Sequence, residues 1–398
     1  MQMQGCSEEK ILRKLSKILG ADMSYDRPGI LGSMCTSPLE FANKLVATYL
    51  HKNLGDPGLW LGTWSIERDV IKMLGELLNE PKCFGYLVTG GTEANLIAMK
   101  TARDSANSRL NGRAEIIVPV SAHASFDKAA DLMRLKIIKV PLLEDYTVDI
   151  DGVEEAISKN TIAIVGVAGS TSLGTIDNIE RLSEIAMDHE INLHVDAAFG
   201  GFVIPFLKKM GYDLPKFDFE LPGVVSITVD PHKMGLGPIP AGGILFRNEE
   251  NIIKSSYKIP YLAGGKFRQT TIVGTRSGAS VIATWAIMKY LGILGYIEIV
   301  RKCMKVTKYL QKELETIEGI RLVREPVMNI IGFTSDIYSL YKIDKELRRK
   351  KWALGLFSDM LRVVIMPHIQ KSHVDMFIHD LKRIVRRLVP KKQPKQPK

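Results

Sequence analysis

The sequence predicts an α/β fold, with a mostly parallel sheet of the seven-stranded type covered by helices and a smaller C-terminal α+β domain. Short, continuous apolar runs typical of buried strands alternate with amphipathic helical segments through the middle of the chain. This alternation stops near Ser277, where two long helices and a few short strands follow. Of the 398 residues, 45% are hydrophobic and 25% charged, an ordinary globular composition that excludes global disorder.

Residues 1–63 form the predicted N-terminal segment. Residues 8–20 have apolar side chains at helical spacing, which predicts a short amphipathic helix. Residues 25–64 are rich in Gly, Pro and Trp, and one helix is predicted near 38–52. The remaining loops of this segment are expected to be ordered rather than to act as linkers.

Residues 64–277 form the predicted large domain, which begins with a long helix at about 64–79. Its continuous apolar strands mean that the sheet is buried on both faces, and chemistry is therefore expected at the carboxyl ends of the strands. The strands are predicted at 84–88, 115–120, 136–142, 161–169, 191–196, 223–230 and 241–248, and the helices at 92–103, 125–134 and 178–189.

Residues 278–389 form the predicted small domain, and residues 390–398 a disordered basic tail. The small domain has helices expected at 278–294, 296–318, 338–352 and 372–388, with short strands near 320–333 and 361–366. The net charge is 54 − 44 = +10, and eight of the positive charges lie between Lys382 and Lys398. This concentration favours solubility or weak polyanion contact over a specific nucleic-acid site.

The targeting and cysteine patterns predict a cytoplasmic protein. No apolar run approaches the ~18–20 residues that span a bilayer, so no membrane association is expected. The first residues, MQMQGCSEEK, show no signal-peptide pattern. The four cysteines have neither metal-site nor redox-motif spacing, which predicts free thiols in a reducing compartment and no metal site.

The motif TGGTEAN at 89–95 follows a predicted strand and opens a helix. Gly90 and Gly91 allow close backbone approach, and Thr92 is a natural helix cap whose neighbouring N–H groups can bind a phosphate. Taken alone, the motif is equally typical of a plain capped turn. It is not a P-loop, because no Gly-Lys-Ser/Thr follows.

Two further motifs also follow predicted strands. His123, in SAHASFDKA, lies at a strand-to-helix turn, where it either reaches a site or caps its own loop. Asp196, in HVDAAFGG, ends a buried strand and needs a partner such as a protonated ring nitrogen, unless it caps the next turn. A metal pair of His194 and Asp196 is disfavoured, on the expectation that alternating strand residues place these two on opposite faces.

The motif ITVDPHKMGLGPIPAGG at 227–243 holds Lys233 in a Pro/Gly-rich turn between two buried strands. Most lysines are solvated surface charges. A lysine in so tight a loop can be desolvated, which would lower its pKa and make it a nucleophilic amine. The four motifs together fit one cofactor, pyridoxal phosphate, which needs an anion cradle, a ring-stacking group, an acid at its pyridine nitrogen and a Schiff-base lysine.

On these motifs the sequence resembles the group II pyridoxal-phosphate-dependent decarboxylases, and within them the archaeal L-tyrosine/L-aspartate decarboxylase family. The resemblance extends over nearly the whole chain except the basic tail. It is found in LGSMC (31–35), NLGDPGLW (53–60), GGTEANL (90–96), HVDAAFGGFVIPF (194–206), DPHKMG (230–235) and VVIMPHI (363–369). The resemblance implies a fold-type I enzyme with pyridoxal 5'-phosphate as cofactor.

The resemblance also implies roles for individual residues. Lys233 would form the Schiff base, Asp196 would hold the pyridine nitrogen protonated, and His123 would stack on the cofactor ring. The expected contacts to the rest of the cofactor come from Gly91, Thr92, His232, Ser170 and Thr171. Asp230 occupies a position that is often Asn in the family.

Substrate binding is expected to involve arginine, whose planar guanidinium suits a carboxylate. Arg276, in IVGTRSG, is the first candidate and Arg268 the second. The segment 257–269 is expected to be a mobile lid, with Tyr261 as a candidate proton donor, although ordinary packing is the alternative for Tyr261.

The resemblance implies decarboxylation of L-tyrosine to tyramine, in methanofuran biosynthesis, or of L-aspartate to β-alanine, in coenzyme A biosynthesis, or of both. Tyrosine comes first if the source makes methanofuran. A homodimer is implied, with residues 25–64 as a candidate interface. An aminotransferase or a carbon–carbon lyase of the same fold is the alternative, and a nucleic-acid-binding protein that uses the basic tail is a remote one.

Overall fold

The computed structural model describes residues 4–106 and 112–389, so the predicted basic tail at 390–398 lies outside the described residues. The first three helices are α1 (Glu8–Leu19), α2 (Glu40–Tyr49) and α3 (Leu61–Leu77), close to the predicted positions. Helix α1 begins with a Ser7 cap, whose side chain accepts a hydrogen bond from the backbone N–H of Lys10. None of its residues is buried, although one face is apolar.

Seven strands form the large sheet in the spatial order β1-β7-β6-β5-β4-β2-β3. Strand β7 pairs antiparallel with both β1 and β6, and every other neighbouring pair in this sheet is parallel. The strands are β1 (Phe84–Val88), β2 (Glu115–Pro119), β3 (Lys136–Val140), β4 (Thr161–Val167), β5 (Asn192–Asp196), β6 (Val224–Val229) and β7 (Gly242–Phe246).

The burial of this sheet explains why its strands could be predicted. Every residue of β2 and of β4 is buried, as expected for strands covered by helices on both faces. The helices between these strands are α4 (Gly91–Ala106), α5 (Ser125–Met133), α6 (Ile150–Glu155), α7 (Ile179–Asp188), α8 (Ile204–Lys209) and α9 (Glu249–Ser255). Helices α6, α8 and α9 were not predicted, because six or seven residues are too few for a clear helical period.

The segment expected to be a mobile lid forms a two-stranded antiparallel hairpin, β8 (Tyr257–Ile259) and β9 (Phe267–Gln269), outside the large sheet. The backbone N–H of Gly264, in its loop, donates to Oδ2 of Asp56 at 2.9 Å. The loop is therefore held to the N-terminal segment.

Two helices predicted after Ser277 are one long element, α10 (Gly278–Glu315), broken at Gly292, whose φ of 53° is in the left-handed region. Within the described residues, α10 is also the one helix long and apolar enough to cross a membrane by length and composition, contrary to the expectation that no such run exists. Its buried residues include Val281, Ala283 and Ile287 of the hydrophobic core, which is typical of a core helix.

The small domain has an antiparallel sheet in the order β10-β11-β13-β12. The N-terminal segment packs on it: the N–H of Leu31 donates to the Ala353 carbonyl at 3.0 Å, and the N–H of Val364 to the Leu31 carbonyl at 2.7 Å. The elements of this domain are β10 (Arg321–Leu322), β11 (Ile330–Thr334), α11 (Leu340–Arg349), β12 (Gly355–Leu356), β13 (Leu361–Val364) and α12 (Lys371–Val385).

Candidate active site

A cavity of about 310 Å³ opens at the carboxyl ends of the parallel strands, where the fold predicts chemistry. It brings together residues from all four motifs singled out in the sequence. Its lining consists of Met34, Thr89, Gly90, Gly91, Thr92, Asn95, Ser121, His123, Val167, Gly169, Thr171, Asp196, Ala198, Phe199, Asp230, His232 and Lys233.

One end of the cavity is the N-terminus of α4, where the first backbone N–H groups have no partner within the helix. Two glycines keep this end open. A Cβ added to Gly90 would lie 2.9 Å from Cε1 of His232, and one added to Gly91 would lie 2.8 Å from Oδ2 of Asp230. Both contacts are too close for a side chain, so only glycine leaves room for an anion here.

Lys233 lines the cavity from the turn between β6 and β7. Its Nζ lies 3.0 Å from Oδ2 of Asp230, and Asp230 is almost completely buried. Burial lowers the pKa of the Lys233 ammonium group, but the carboxylates of Asp230 and Asp196 outweigh burial and raise that pKa above its usual value. The expected lowering of this pKa is therefore wrong for the protein without cofactor, because the sequence motif showed the tight turn but not its paired carboxylate.

Asp196 ends β5 and lines the cavity, with only 6% of its surface exposed. Its Oδ2 accepts a hydrogen bond from Nδ2 of Asn95 at 2.9 Å, and its Oδ1 accepts one from the backbone N–H of Ala198 at 3.1 Å. These two donors compensate for the burial of the carboxylate.

The two cavity histidines lie on different walls. His123 is exposed, and its Nδ1 accepts the N–H of Ser125 at 3.2 Å, which orients the ring at the start of α5. His232 is partly buried, which lowers its pKa, and its Nε2 lies 3.7 Å from Oδ2 of Asp230. His232 thus faces the N-terminal end of α4, beside Gly90.

Of the two predicted hydroxyl residues, Thr171 lines the cavity and Ser170 does not. The Ser170 hydroxyl lies 2.7 Å from Oγ1 of Thr175 and accepts the N–H of Thr175 at 3.1 Å. Because this side chain is buried within its own turn, the expectation that Ser170 contacts the cofactor is not supported.

Arg276, the first candidate for the substrate carboxylate, is buried outside the cavity. Its guanidinium forms a bidentate ion pair with Glu67 on α3 and also donates to the Leu87 carbonyl at 2.6 Å. The predicted substrate role is therefore wrong in this arrangement, because the planar donors that suit a substrate carboxylate already bind Glu67.

Arg268 and Tyr261 lie on the hairpin segment, away from the described cavity. Arg268 is exposed and donates to Oγ of Ser256 at 3.0 Å. Tyr261 is 81% exposed. Neither side chain reaches the cavity of its own subunit, so the structure of one subunit does not support their predicted roles.

Arg362, on β13 of the small domain, was missed in the sequence. Its Nη1 donates to the carbonyl of Thr171, a cavity residue, and its Nη2 to the carbonyl of Gly32, both at 2.6 Å. Its Nε is buried without a hydrogen-bond partner among the described residues, and burial lowers the pKa of the guanidinium. The sequence did contain an indication of this residue, because an arginine inside the apolar run LRVV is expected to be buried and to need a specific hydrogen-bond partner.

The expectation that His194 and Asp196 point to opposite faces of β5 is wrong. Residues two apart on a strand share a face. Both side chains contact Asn95, with Nε2 of His194 3.0 Å from its Oδ1. Within residues 4–106 and 112–389, no group of three or more side chains that could hold a metal ion occurs.

A conserved domain described as pyridoxal-dependent decarboxylase matches residues 62–336, well over half of the chain. The chain belongs to the pyridoxal-dependent decarboxylase family. It is therefore a carboxy-lyase that uses pyridoxal phosphate, and the predicted cofactor and reaction class are confirmed.

Relatives in this family cover nearly the whole chain. An L-aspartate decarboxylase from Thermococcus kodakarensis is 48% identical over 97% of this chain and 99% of its own. A probable L-tyrosine/L-aspartate decarboxylase from Methanothermobacter thermautotrophicus is 50% identical over 91% and 99%. Among solved structures, a sphingosine-1-phosphate lyase from Burkholderia pseudomallei has a TM-score of 0.89 and 29% identity, over 97% of this chain and 92% of its own. A glutamate decarboxylase from Lactobacillus brevis has a TM-score of 0.88 and 24% identity, over 97% of this chain and 94% of its own. The predicted fold-type I class is confirmed.

The cavity residues fit pyridoxal phosphate. The glycine-lined end at α4 suits the phosphate, and His232 lies beside it. Lys233 supplies the amine, Asp196 supplies the carboxylate for the ring nitrogen, and His123 supplies an aromatic ring in the cavity lining. Oδ1 of Asp230 is buried beside this site without a hydrogen-bond partner among the described residues, so it can accept a hydrogen bond from a bound group.

Proposed function

We propose that the protein decarboxylates L-aspartate to β-alanine, in line with a role in coenzyme A biosynthesis. The observation that carries the proposal is one cavity that holds Lys233, Asp196 and His123 at the carboxyl ends of the strands. A volume of about 310 Å³ lies near the lower end of the ~300–1,000 Å³ typical of small-molecule sites, although it has to take both cofactor and substrate. This limited room favours a short substrate side chain.

The cavity residues divide the work of the reaction. When bound, pyridoxal phosphate would supply an acceptor for the electron pair that is left on the substrate α-carbon after loss of carbon dioxide. Asp196, oriented by two hydrogen bonds, would hold the ring nitrogen protonated. Lys233 would provide the amine that binds the cofactor, and its ammonium group donates to Oδ2 of Asp230. The other residues that line the cavity contribute by orienting the substrate and the cofactor and through their electrostatic interactions.

We propose that Arg362, rather than Arg276, binds the substrate carboxylate. Its guanidinium donates to the carbonyl of Thr171, a cavity residue, and to that of Gly32, whereas the guanidinium of Arg276 is bound to the carboxylate of Glu67. The Nε atoms of both arginines lack a partner among the described residues, so the contact with Thr171 is what favours Arg362. A buried guanidinium is stabilised most by a carboxylate partner, because hydrogen bonds between two ionised groups are stronger than those to neutral acceptors.

L-Tyrosine is the second candidate substrate. The relative from Methanothermobacter thermautotrophicus, which is 50% identical, carries both substrates in its name. In the cavity, the apolar side chains of Met34, Val167 and Phe199 could pack against an aromatic ring.

The substrate proposal is tested by measuring carbon dioxide and amine product from L-aspartate, L-tyrosine and L-glutamate separately. β-Alanine as the main product supports the proposal, tyramine supports the second candidate, and a keto acid without carbon dioxide contradicts decarboxylation. The control is Lys233→Ala, which should form no product from any of the three amino acids.

We further propose that the enzyme is a homodimer. Helix α1 has no buried residue, yet Ile11, Leu15 and Ile18 expose an apolar face. Next to α2, an apolar groove is lined by Phe41, Leu45, Tyr49, Leu59, Trp60, Ile66, Ile282 and Trp285. Contiguous apolar surface on this scale is typical of a subunit interface. Light scattering on the purified protein gives the mass, and a monomer would contradict the proposal.

In such a dimer, we propose that Tyr261 acts at the site of the neighbouring subunit. Its side chain is 81% exposed, and it lies on a hairpin held to the N-terminal segment through Asp56.

We also propose a cytoplasmic location, supported by the free thiols of Cys35, Cys83 and Cys303. Cell fractionation would test the location.

A further inference from the structure

Asn95 lies at the centre of a buried polar cluster behind the cofactor site. It projects from α4 and is 1% exposed. Its Nδ2 donates to Oδ2 of Asp196 and to Oγ of Ser125, both at 2.9 Å. Its Oδ1 accepts from Oγ1 of Thr228 at 2.6 Å and from Nε2 of His194 at 3.0 Å. All four hydrogen-bonding positions of the amide are therefore used.

The charge of Asp196 fixes the orientation of this amide. If the amide were turned over, its oxygen would face a carboxylate oxygen, and two acceptors would meet without a proton between them. With the amide as described, His194 must carry its proton on Nε2, and Nδ1 accepts from Oγ of Ser226, 2.8 Å away. Burial keeps His194 neutral by lowering its pKa to about 4.

We propose that Asn95 is a positioning residue, which holds the Asp196 carboxylate oriented for the ring nitrogen of the cofactor. The amide donates to one carboxylate oxygen, while the N–H of Ala198 donates to the other. The amide also lies between Asp196 and His194 and contacts both side chains. Two fixed donors keep the buried carboxylate in one orientation.

The inference concerns cofactor capture and does not depend on which amino acid is the substrate. Its test is therefore the dissociation constant of pyridoxal phosphate from the apoenzyme, measured over a range of pH. The variant is Asn95→Asp, which keeps the shape of the side chain but replaces the donor to Asp196 with a carboxylate.

At low pH the introduced carboxylate and Asp196 share one proton, so a hydrogen bond still joins the two side chains. We expect the affinity of this variant for pyridoxal phosphate to be close to that of the wild type under these conditions. As pH rises and this proton leaves, two buried carboxylates face each other. We expect cofactor affinity to fall by about tenfold to a hundredfold over that range, the usual effect of losing one hydrogen bond to a charged group. Asp230 and Lys233 are present in both proteins and do not create this difference. His194 does change, because its Nε2 lies 3.0 Å from Oδ1 of residue 95 and a carboxylate there raises the pKa of the imidazole. Asn95→Asp is therefore also measured in a His194→Gln background, where the same loss of cofactor affinity is expected.

The matched control is Ser125→Ala, which removes the other acceptor of the same amide group without touching Asp196. We expect its affinity to keep the pH dependence of the wild type. A purely structural role would lower the melting temperature of both apoproteins and leave both pH profiles of cofactor affinity parallel to the wild type. That result would overturn the proposal.

A second variant covers the case in which Asn95→Asp fails to fold, as judged by circular dichroism. Thr228→Val is close to isosteric and removes one of the two donors that hold the amide oxygen. We expect a loss of about threefold in cofactor affinity, the lower end for one neutral hydrogen bond. An unchanged dissociation constant in a folded Thr228→Val protein would overturn the proposal as well.

Discussion

Nζ of Lys233 lies 3.0 Å from Oδ2 of Asp230, three residues earlier in the same turn. The backbone supports this pairing, because the N–H of Lys233 donates to the Asp230 carbonyl at 3.0 Å. Asp230 is almost completely buried, so its charge acts on the amine through little solvent. The pair stabilises the ammonium form of Lys233, whereas capture of the cofactor aldehyde requires the neutral amine.

Replacing Asp230 with asparagine should accelerate cofactor uptake. Removal of the carboxylate lowers the raised pKa of Lys233, so more neutral amine is present at any pH below that pKa. We expect the rate of pyridoxal phosphate uptake by the apoenzyme to rise near neutral pH, and its increase with pH to begin at a lower pH than in the wild type. Stopped-flow absorbance across pH measures it. Asp218→Asn, at a buried carboxylate outside the cavity, is the control and should leave the pH profile unchanged.

Arg362→Lys should weaken substrate binding and leave cofactor binding intact. The lysine keeps the positive charge but loses the planar donors that suit a carboxylate. We expect KM for the amino acid to rise by about tenfold to a hundredfold, with an unchanged dissociation constant for pyridoxal phosphate. Steady-state kinetics and cofactor titration separate the two quantities. Arg276→Lys is the control, and if it raises KM as much as Arg362→Lys does, the assignment to Arg362 is wrong.

Arg276→Met should destabilise the protein rather than change its substrate affinity. Arg276 and Glu67 are both buried, and the loss of one partner leaves an unpaired charge. We expect a loss of about 3–5 kcal/mol in the free energy of unfolding. Urea denaturation of the apoprotein measures it. Adding Glu67→Gln should recover part of the loss, and a double variant less stable than the single one would contradict this account.

Tyr261→Phe and Lys233→Ala should complement each other if the hairpin serves the neighbouring subunit. Each homodimer is expected to be impaired at both of its sites. After subunit exchange in an equal mixture, half of the dimers are mixed, and one site in each has both native residues. The expected activity is about a quarter of the wild-type value in a symmetric dimer. A mixture no more active than its two components would contradict action of Tyr261 at the site of the neighbouring subunit.

His194 should make the fold sensitive to acid. Burial lowers its pKa to about 4 in the folded protein, against 6.5 for the exposed side chain. Between these values the unfolded chain binds the extra proton, so stability falls as pH decreases from about 6.5 to 4, by about 3 kcal/mol. His194→Gln should remove this part of the pH dependence. Urea denaturation at several pH values tests it, and parallel profiles for both proteins would contradict the prediction.

The strands, and the site residues that directly follow them, could be predicted from the sequence. Lys233, Asp196 and His123 each come after a continuous apolar run, and parallel strands bring such positions to one edge. Their roles followed from the resemblance. The short helices and the hairpin could not be predicted, since they are shorter than the patterns that identify such elements.

The arginines show what a single sequence leaves undetermined. Arg362 lies inside the apolar run LRVV and Arg276 in the loop IVGTRSG, and neither context shows which arginine reaches the cavity wall. What separates them is Glu67, which lies 209 residues before Arg276 and binds its guanidinium. A pairing over such a distance depends on the packing of α3 against the sheet, and this packing is not encoded in any local pattern.

Lys233 and Asp196 lie on the large sheet, whereas Arg362 lies on the separate sheet of the small domain and reaches the cavity wall through the Thr171 carbonyl. On the proposed role of Arg362, the coenzyme and the amino acid are bound from two separate sheets of the polypeptide. Substitutions along β13 are then expected to change how the substrate is held while the residues that retain the coenzyme stay in place.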